Sequence, residues 1–299
     1  MESGVLTAVL EGLMRRYRER VPDVGAITAA MVDAGIVPGI EAIENDHIAF
    51  RTLGVPHLGI ASLERIFLHY GYERREAFSF AEKKLDAFWY HPPADVFPRI
   101  FISELRVADL SSNAHEIITS YTQAVNADPV DAVDLDDAAA VDELLHRPLW
   151  RLPTYSDYVQ LRDESEYAAW TIYNRYYLNH FTISVHNLPG RMSSLAVFDA
   201  FLLERGLRLN DAGGTIKESP DGLLLQSSTI AQIVDAEFAD GDVHPIAGSY
   251  VEFAERRVLA AFAHLASAEI RRDHRRDGFE VGNADRIFES TDAAQVARR

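Results

Sequence analysis

Three ionisable residues lie inside alternating apolar segments, where a sheet would bury them. His47 stands in DHIAFRTL, His180 in HFTISVH and Glu252 in SYVEFAE. A buried charge is costly unless it is paired or metal-bound. A single buried histidine is more often a hydrogen-bonded core residue than a metal ligand. Three ionisable residues in equivalent settings instead favour a metal site. Two histidines and a carboxylate are the ligand set of non-haem Fe(II) oxygenases, so the trio predicts a mononuclear iron-type centre.

Two neighbouring residues compete for the ligand roles. His186 would share a strand and a face with His180, six residues and therefore roughly 20 Å away. Both histidines cannot bind one metal, and we choose His180 because it begins the alternating segment. The pattern alone leaves His186 open as the alternative. Glu255 would face away from Glu252, so only one of these carboxylates can enter the site.

Arg51 is the best candidate for a cation beside the metal. It lies on the face of His47, about 13 Å along the strand, and its long side chain could reach back. An acidic protein that binds an anionic small molecule needs such a local cation. We therefore predict that Arg51 binds substrate and acts in catalysis, although a surface arginine at a strand end has the same pattern.

Four more residues are predicted near the site. Ser227 and Ser228 follow a strong hairpin signal, SPDG at 219–222, and could donate hydrogen bonds to a substrate. Gln226 precedes them, and Tyr250 would share a face with Glu252, so both are predicted to support the ligands. Serine in a strand is also often incidental.

The elements that must position these residues follow from periodicity. Helical spacing predicts helices over 6–17, 24–34, 60–70, 111–147, 155–176 and 192–206. Alternation predicts strands over 46–53, 75–81, 83–90, 98–107, 180–186 and 249–255, with two short strands flanking the 219–222 turn. The acidic 111–147 region is predicted to face solvent. This order indicates an α+β class with a curved mixed sheet and βαβββ character behind a helical lead-in.

Composition excludes several classes of protein. The 299 residues contain no cysteine, so disulfides, thiolate metal sites and cysteine nucleophiles are absent. The net charge of −17 disfavours binding to nucleic acid and to anionic membranes. The basic run Arg271, Arg272, Arg275 and Arg276 is interpreted as a solvated helix face. No apolar stretch is long enough to span a membrane, and the N-terminus is unlike a signal or transit peptide, which predicts a soluble, cytoplasmic protein.

Common catalytic motifs are missing from the sequence. It contains no GxGxxG, GxxxxGK[ST], GxSxG or HExxH. Nucleotide binding, serine hydrolysis of the common kind and the zincin mechanism therefore have no support.

Several segments resemble the 2-oxoadipate dioxygenase/decarboxylase family, also called hydroxyglutarate synthase, which is related to the vicinal oxygen chelate (glyoxalase-like) superfamily. The similarity runs from about residue 40 almost to the C-terminus and is least specific over 111–165. The segments that carry it are NDHIAFRTLG (45–54), KKLDAFWYHPP (83–93), PRIFISEL (98–105), NHFTISVHNL (179–188), SPDGLLLQSST (219–229), GSYVEFAERR (248–257) and HRRDGFEVGNADRIFEST (274–291).

The resemblance implies a vicinal-oxygen-chelate-like sheet core with helical N-terminal, middle and C-terminal additions. It implies Fe(II) bound by His47, His180 and Glu252, and an arginine at position 51 that grips the substrate carboxylate. The implied reaction converts 2-oxoadipate and O₂ to 2-hydroxyglutarate and CO₂. The chain is short beside the best-known members, which act in lysine catabolism, so the chemistry carries over better than the exact substrate.

The chain is predicted to be one metalloenzyme domain over 1–299, monomeric or homodimeric. Its parts are a helical lead-in (1–40), a first βαβββ-like part (41–110), a helical insertion (111–178) and a second sheet part with the C-terminal segment (179–299). Two rival functions remain at this point. One is a non-oxidative metalloenzyme, such as a glyoxalase-like isomerase or a hydrolase, and the other is a binding protein that has lost catalysis.

Overall fold

A computed structural model describes residues 3–297 of the chain. Its α-helices, in chain order, are α1 (Ser3–Arg20), α2 (Pro22–Asp33), α3 (Ile60–His69), α4 (Ser112–Thr122), α5 (Ala138–His146), α6 (Tyr155–Glu164), α7 (Glu166–Asn174), α8 (Leu195–Leu203), α9 (Val281–Phe288) and α10 (Ala293–Val296). Within the described residues, no helix is both long enough and apolar enough to cross a membrane.

The strands supply the frame of the molecule. They are β1 (Asn45–Leu53), β2 (Glu73–Phe80), β3 (Leu85–His91), β4 (Arg99–Leu105), β5 (His180–Ser184), β6 (Lys217–Glu218), β7 (Leu224–Ser228), β8 (Ile233–Glu237), β9 (Val243–Ala247) and β10 (Tyr250–Arg256). Eight of them form one mixed sheet in the order β2-β3-β4-β1-β5-β10-β7-β6, while β8 and β9 pair separately.

The sheet consists of two halves with the same topology. In the first half β1 pairs parallel with β4, and β3 and β2 continue antiparallel from there. In the second half β5 pairs parallel with β10, and β7 and β6 continue antiparallel. The helices α3 and α8 follow the first strand of their halves, so each half is a βαβββ unit. The antiparallel pair β1–β5 joins the two units at the centre of the sheet.

Helices cover both faces of this central pair. On one face Phe50 packs against Phe67 of α3, and Phe253 packs against Phe198 of α8, with ring centroids 5.5 and 5.2 Å apart. On the other face the Tyr167 hydroxyl of α7 accepts a hydrogen bond from the amide of Thr52. Because both faces are covered, β1, β5 and β10 are buried almost throughout. Side chains on these strands are therefore held in fixed positions, as a functional site requires.

The sequence patterns predict most of these elements, with several differences. The helices α9 and α10 were not predicted. The strand predicted over 180–186 ends at Ser184, and a 3₁₀ turn follows at Val185–Asn187. The hairpin of β8 and β9 was not predicted. The supposedly solvent-facing 111–147 region buries Ile118, Tyr121 and Leu144, because α4 packs against α6 and α5 packs against α1. The basic run at 271–276 contains only a 3₁₀ turn, Arg272–His274, and is not a helix face.

Replacing Phe50 with alanine tests the packing of the central strand. The ring is fully buried, so Phe50→Ala should lower the free energy of unfolding by about 3–5 kcal/mol through the cavity it leaves. Urea denaturation followed by circular dichroism measures this change. Val96→Ala is the matched control, because Val96 is 79% exposed and its loss should change stability by less than about 0.5 kcal/mol. Equal effects of the two substitutions would contradict the described core.

Candidate metal centre

The structure brings His47, His180 and Glu252 together on one face of the sheet. The Nε2 atoms of the two histidines are 3.4 Å apart. Glu252 places Oε1 3.4 Å from Nε2 of His47 and Oε2 3.1 Å from Nε2 of His180. All three side chains are buried, and among the described residues they form the one His/Asp/Glu group whose ligand atoms lie within 4.8 Å of one another.

Sheet register explains why residues so distant in sequence meet. His180 lies opposite Ala49 of β1 and beside Tyr250 of β10, and Glu252 lies beside Thr182. Directly paired residues point to the same face, and neighbouring strands are about 4.8 Å apart. Three adjacent strands therefore present one ligand candidate each to the same point.

A buried carboxylate orients the ring of His47. Nδ1–H of His47 donates to Oδ1 of Asp46 at 2.8 Å, so Nε2 is the nitrogen that lies near Glu252 and 3.1 Å from the hydroxyl oxygen of Thr182. Asp46 in turn accepts from Nε and Nη2 of Arg256, at 2.7 and 2.9 Å. Consecutive residues of a strand normally face opposite ways, but the β1–β5 pairing shifts register between Asn45 and Ile48. This irregularity lets the side chain of Asp46 reach its neighbour.

The other two ligand candidates are held in the same manner. Nδ1–H of His180 donates to Oδ1 of Asn179 at 3.1 Å, so its Nε2 also carries a free lone pair. Glu252 accepts a 2.6 Å hydrogen bond from Nε2 of Gln226. The amide of Gln226 is itself fixed, because its Oε1 accepts from Asn283 of α9 at 3.1 Å. Such outer contacts set the tautomer and direction of metal ligands.

Burial and neighbouring charges shift the pKa values of the three ligand candidates. Burial lowers the pKa of His180 to about 3, so this imidazole is neutral. Burial opposes the charged form of His47 as well, but Glu252 and Asp46 outweigh it and raise the pKa of His47. Burial would raise the pKa of Glu252, yet the two histidines lower it overall, so the group is a carboxylate.

The donor set fits a divalent first-row metal. The two Nδ1–H bonds turn two nitrogen lone pairs and a carboxylate toward one point, an arrangement that a cation would stabilise. Ligands in cis positions about 2.1 Å from a metal are about 3.0 Å apart, close to the 3.1–3.4 Å separations of the trio. The cluster can therefore hold a metal, while its geometry leaves the identity of that metal open.

Arg51 lies beside the trio as a buried cation. Its side chain is 1% exposed and lies over the rings of Tyr167 and Trp170, at 5.0 and 5.2 Å. Nη1 donates to Thr291 and Nη2 to the carbonyl oxygen of Phe288, whereas Nε is buried without a hydrogen-bond partner. No carboxylate within the described residues forms an ion pair with Arg51. A buried guanidinium without a carboxylate is unusual and favours an anionic ligand.

Of the other residues predicted near the site, Tyr250 lies beside the trio, whereas Ser227 and Ser228 bond to other residues. The ring of Tyr250 packs 4.9 Å from that of His180 and lines the cavity beside the trio. Ser228 lies opposite Glu252 in the sheet but bonds to Ser290, 2.8 Å away. Ser227 is on the other face, where its hydroxyl donates to Asp199, so the prediction that it contacts substrate is not supported.

His186 and Glu255 lie away from the trio. His186 is in the 3₁₀ turn after β5, and its Nδ1 accepts from the amide of Arg256. The carboxylate of Glu255 accepts from the amide of Leu195 at the start of α8, on the opposite face of the sheet. The structure thus brings His180 rather than His186 to Glu252.

Aromatic residues close the space above the trio. The cavity there is about 20 Å³ and is walled by Phe101, Phe279, Ile287 and Phe288. Phe279 packs edge-on against the ring of His47, with centroids 4.7 Å apart. A second cavity of about 220 Å³ reaches Arg51 from the far side of Phe288. A cavity of this volume has room for about one water molecule.

Sequence reasoning missed the residues that support the ligands. Asp46, Asn179 and Arg256 are polar residues in buried segments, but strand alternation gives no reason to aim the first two at the histidines that follow them. Asn283 and Phe288 belong to a C-terminal segment that reads as polar and charged. The regular spacing of Ala284, Ile287 and Phe288 was the available signal for a helix with one buried face.

The fold and site together define a class of protein. A protein from Ralstonia eutropha JMP134 described as a member of the glyoxalase superfamily superposes with a TM-score of 0.74 at 21% identity, over 93% of this chain and 86% of that one. The predicted α+β class with a glyoxalase-like mixed sheet is thereby confirmed.

The particular family follows from closer matches. Residues 9–269 match the model of the 2-oxoadipate dioxygenase/decarboxylase family. A 2-oxoadipate dioxygenase/decarboxylase from Arabidopsis thaliana is 45% identical over 85% of this chain and 70% of its own length. The hydroxyglutarate synthase of Oryza sativa, solved with 2-oxoadipate, superposes with a TM-score of 0.90 at 41% identity, over 100% of this chain and 96% of that one. The chain belongs to this family, as its sequence segments predict.

One prediction is corrected by these matches. The composition and N-terminus predict a cytoplasmic protein, but the Arabidopsis relative is named as chloroplastic. The cytoplasmic prediction is therefore contradicted. It rested on the absence of recognisable targeting features, which is weak support for any compartment.

Removing the hydrogen bond that orients His180 tests the support of the trio. Asn179→Ala should weaken metal binding by roughly 10–100-fold, because the imidazole loses its fixed tautomer and direction. Titration with Co²⁺ against a competing chelator measures the affinity. Asn187→Ala is the control, since this exposed side chain bonds only to Glu44 and should leave metal affinity unchanged. An unchanged affinity in Asn179→Ala would remove the supporting role.

Proposed function

We propose that this protein is an Fe(II)-dependent dioxygenase/decarboxylase that converts 2-oxoadipate and O₂ to 2-hydroxyglutarate and CO₂. The main observation behind the proposal is the buried group of His47, His180 and Glu252, which offers two imidazoles and one carboxylate to a metal. Arg51 is a buried cation beside this group. Family membership supports the reaction, and the rice relative is described in complex with 2-oxoadipate. The equation balances, because loss of CO₂ removes one carbon and two oxygens from the acid, and O₂ restores two oxygens in the new carboxylate and the hydroxyl of 2-hydroxyglutarate.

We assign the metal to Nε2 of His47, Nε2 of His180 and the carboxylate of Glu252. These are two soft-to-intermediate nitrogens and one hard oxygen, which suit Fe(II) and leave open positions on the metal. When bound, Fe(II) would supply coordination positions for the 2-oxo acid and O₂ and would pass electrons from the acid to O₂. Both halves of the sheet contribute ligands, so we treat residues 1–299 as one catalytic domain.

Arg51 would bind a carboxylate of the substrate. Its planar guanidinium presents paired donors that match a carboxylate, and the buried Nε has no partner to lose. The surrounding rings of Tyr167, Trp170 and Phe288 exclude water from this contact. A charge-assisted bond in such surroundings is worth more than it would be in water. The arginine therefore orients the acid and offsets its negative charge.

Oxygen uptake is the direct test of the reaction. Protein loaded anaerobically with Fe(II) should consume O₂ on addition of 2-oxoadipate and release CO₂ and 2-hydroxyglutarate in equal amounts. An oxygen electrode and mass spectrometry of the products measure this stoichiometry. Conversion of a substrate without O₂ consumption would instead favour the non-oxidative isomerase or hydrolase on the same scaffold.

Substitution of the trio tests the ligand assignment. His47→Ala, His180→Ala and Glu252→Ala should each reduce bound iron to less than about a tenth and abolish O₂ uptake, since three ligands leave none to spare. Metal analysis after gel filtration measures the bound iron. His186→Ala is the matched control and should keep both iron and activity. Loss of iron in His186→Ala with retention in His180→Ala would overturn the assignment.

Arg51→Gln separates substrate binding from metal binding. The glutamine loses the charge, so KM for 2-oxoadipate should rise roughly 10–100-fold, as expected for a lost charged hydrogen bond of about 1.5–3 kcal/mol. Iron content should stay at the level of the unmodified protein. Arg205→Gln, at an exposed position, should leave KM unchanged. Unaltered kinetics in Arg51→Gln would remove this residue from the site.

A further inference from the structure

A second polar cavity lies on the far side of Asp46 from His47. It has a volume of about 240 Å³ and lies between the ends of β4 and β10 and the 270–275 segment. Five arginines and two carboxylates contribute to its wall; the arginines are Arg99, Arg256, Arg271, Arg272 and Arg275. Such a concentration of guanidinium groups is unexpected in a chain with a net charge of −17.

Two of these arginines have no carboxylate partner within ion-pair distance among the described residues. Arg275 donates to the backbone carbonyl of Arg256. Arg272 donates from Nη1 to the carbonyls of Asp95 and Phe97, while its Nε and Nη2 are buried without a hydrogen-bond partner. Unpaired buried donors are costly, so an acceptor bound against this side chain would be favoured.

Two more arginines of the wall are already engaged in ion pairs. Arg256 pairs with Asp46, and Arg99 pairs with Asp277 at 2.5 Å. Burial, followed by repulsion from Arg256, lowers the pKa of Arg99 to about 10. The wall carboxylate of Glu44 accepts from Ser184 and Asn187 and forms no ion pair with the arginines.

We propose that this arginine cavity is a binding site for a phosphate group, either free phosphate or a phosphate ester. Arg272 and Arg275 supply guanidinium groups without carboxylate partners, and Arg99 and Arg256 add positive charge from β4 and β10. This concentration of charge suits a phosphate dianion better than a singly charged carboxylate. The site is distinct from the metal centre, from which Asp46 separates it. The bound anion would balance the charge of Arg272 and Arg275 and stabilise the 270–275 segment against β4 and β10.

Calorimetric titration of the metal-loaded full-length protein tests the site. Inorganic phosphate should bind with one-to-one stoichiometry in chloride buffer at constant ionic strength. The Arg272→Gln/Arg275→Gln double variant should weaken binding at least tenfold, while Arg15→Gln, an exposed arginine elsewhere, should bind as the unmodified protein does. A parallel titration with glycerol 3-phosphate shows whether the free or the esterified group binds more tightly.

Two further variants keep the test decisive if the double variant folds poorly. Asp95→Asn removes an exposed carboxylate from the wall and should tighten phosphate binding severalfold. Arg51→Gln should leave phosphate binding unchanged, because Arg51 is at the metal centre. Absence of binding up to 10 mM phosphate (about the highest useful concentration for a specific site), equal affinity in Asp95→Asn, or loss of binding in Arg51→Gln would overturn the proposal. None of these outcomes depends on oxygenase activity.

Discussion

Asp46 and Arg256 form a buried ion pair that spans the three central strands, from β1 across β5 to β10. Each side chain is 1% exposed, and neither charge could be buried alone without a penalty of several kcal/mol. Because one oxygen of Asp46 also accepts from His47, the pair couples strand alignment to the direction of a ligand candidate. The same ion pair therefore fixes both the lateral alignment of β1 with β10 and the geometry of the metal centre.

The helix α9, which packs over the metal centre, extends these contacts to Arg51. Gln226 connects Glu252 to Asn283 of α9, and the same helix provides Phe288, whose carbonyl accepts from Arg51. The helix thus contacts Gln226 and Arg51 and forms part of the wall of the inner cavity. A displacement of α9 would therefore affect all three.

Sequence patterns predict the frame of the site well and its fine structure poorly. The alternating pattern locates His47, His180 and Glu252 because an ionisable residue is easily recognised among the apolar residues of a buried strand. Alternation fails for Asp46, whose direction depends on a register shift, and for Ser227, whose face depends on where β7 begins. The α9 wall was missed because its apolar face is short and lies among charged residues. These features are set by contacts between segments far apart in the chain.

The site sits on the join between two βαβββ units, and His47 and His180 are 133 residues apart in the chain. Contacts of such long range are slow to form, since loop closure must precede any energetic gain. The first unit alone holds one ligand candidate, so a partly synthesised chain has no place for the metal. Metal uptake at this site would then require both units to be folded and joined, so it would mark the completion of folding.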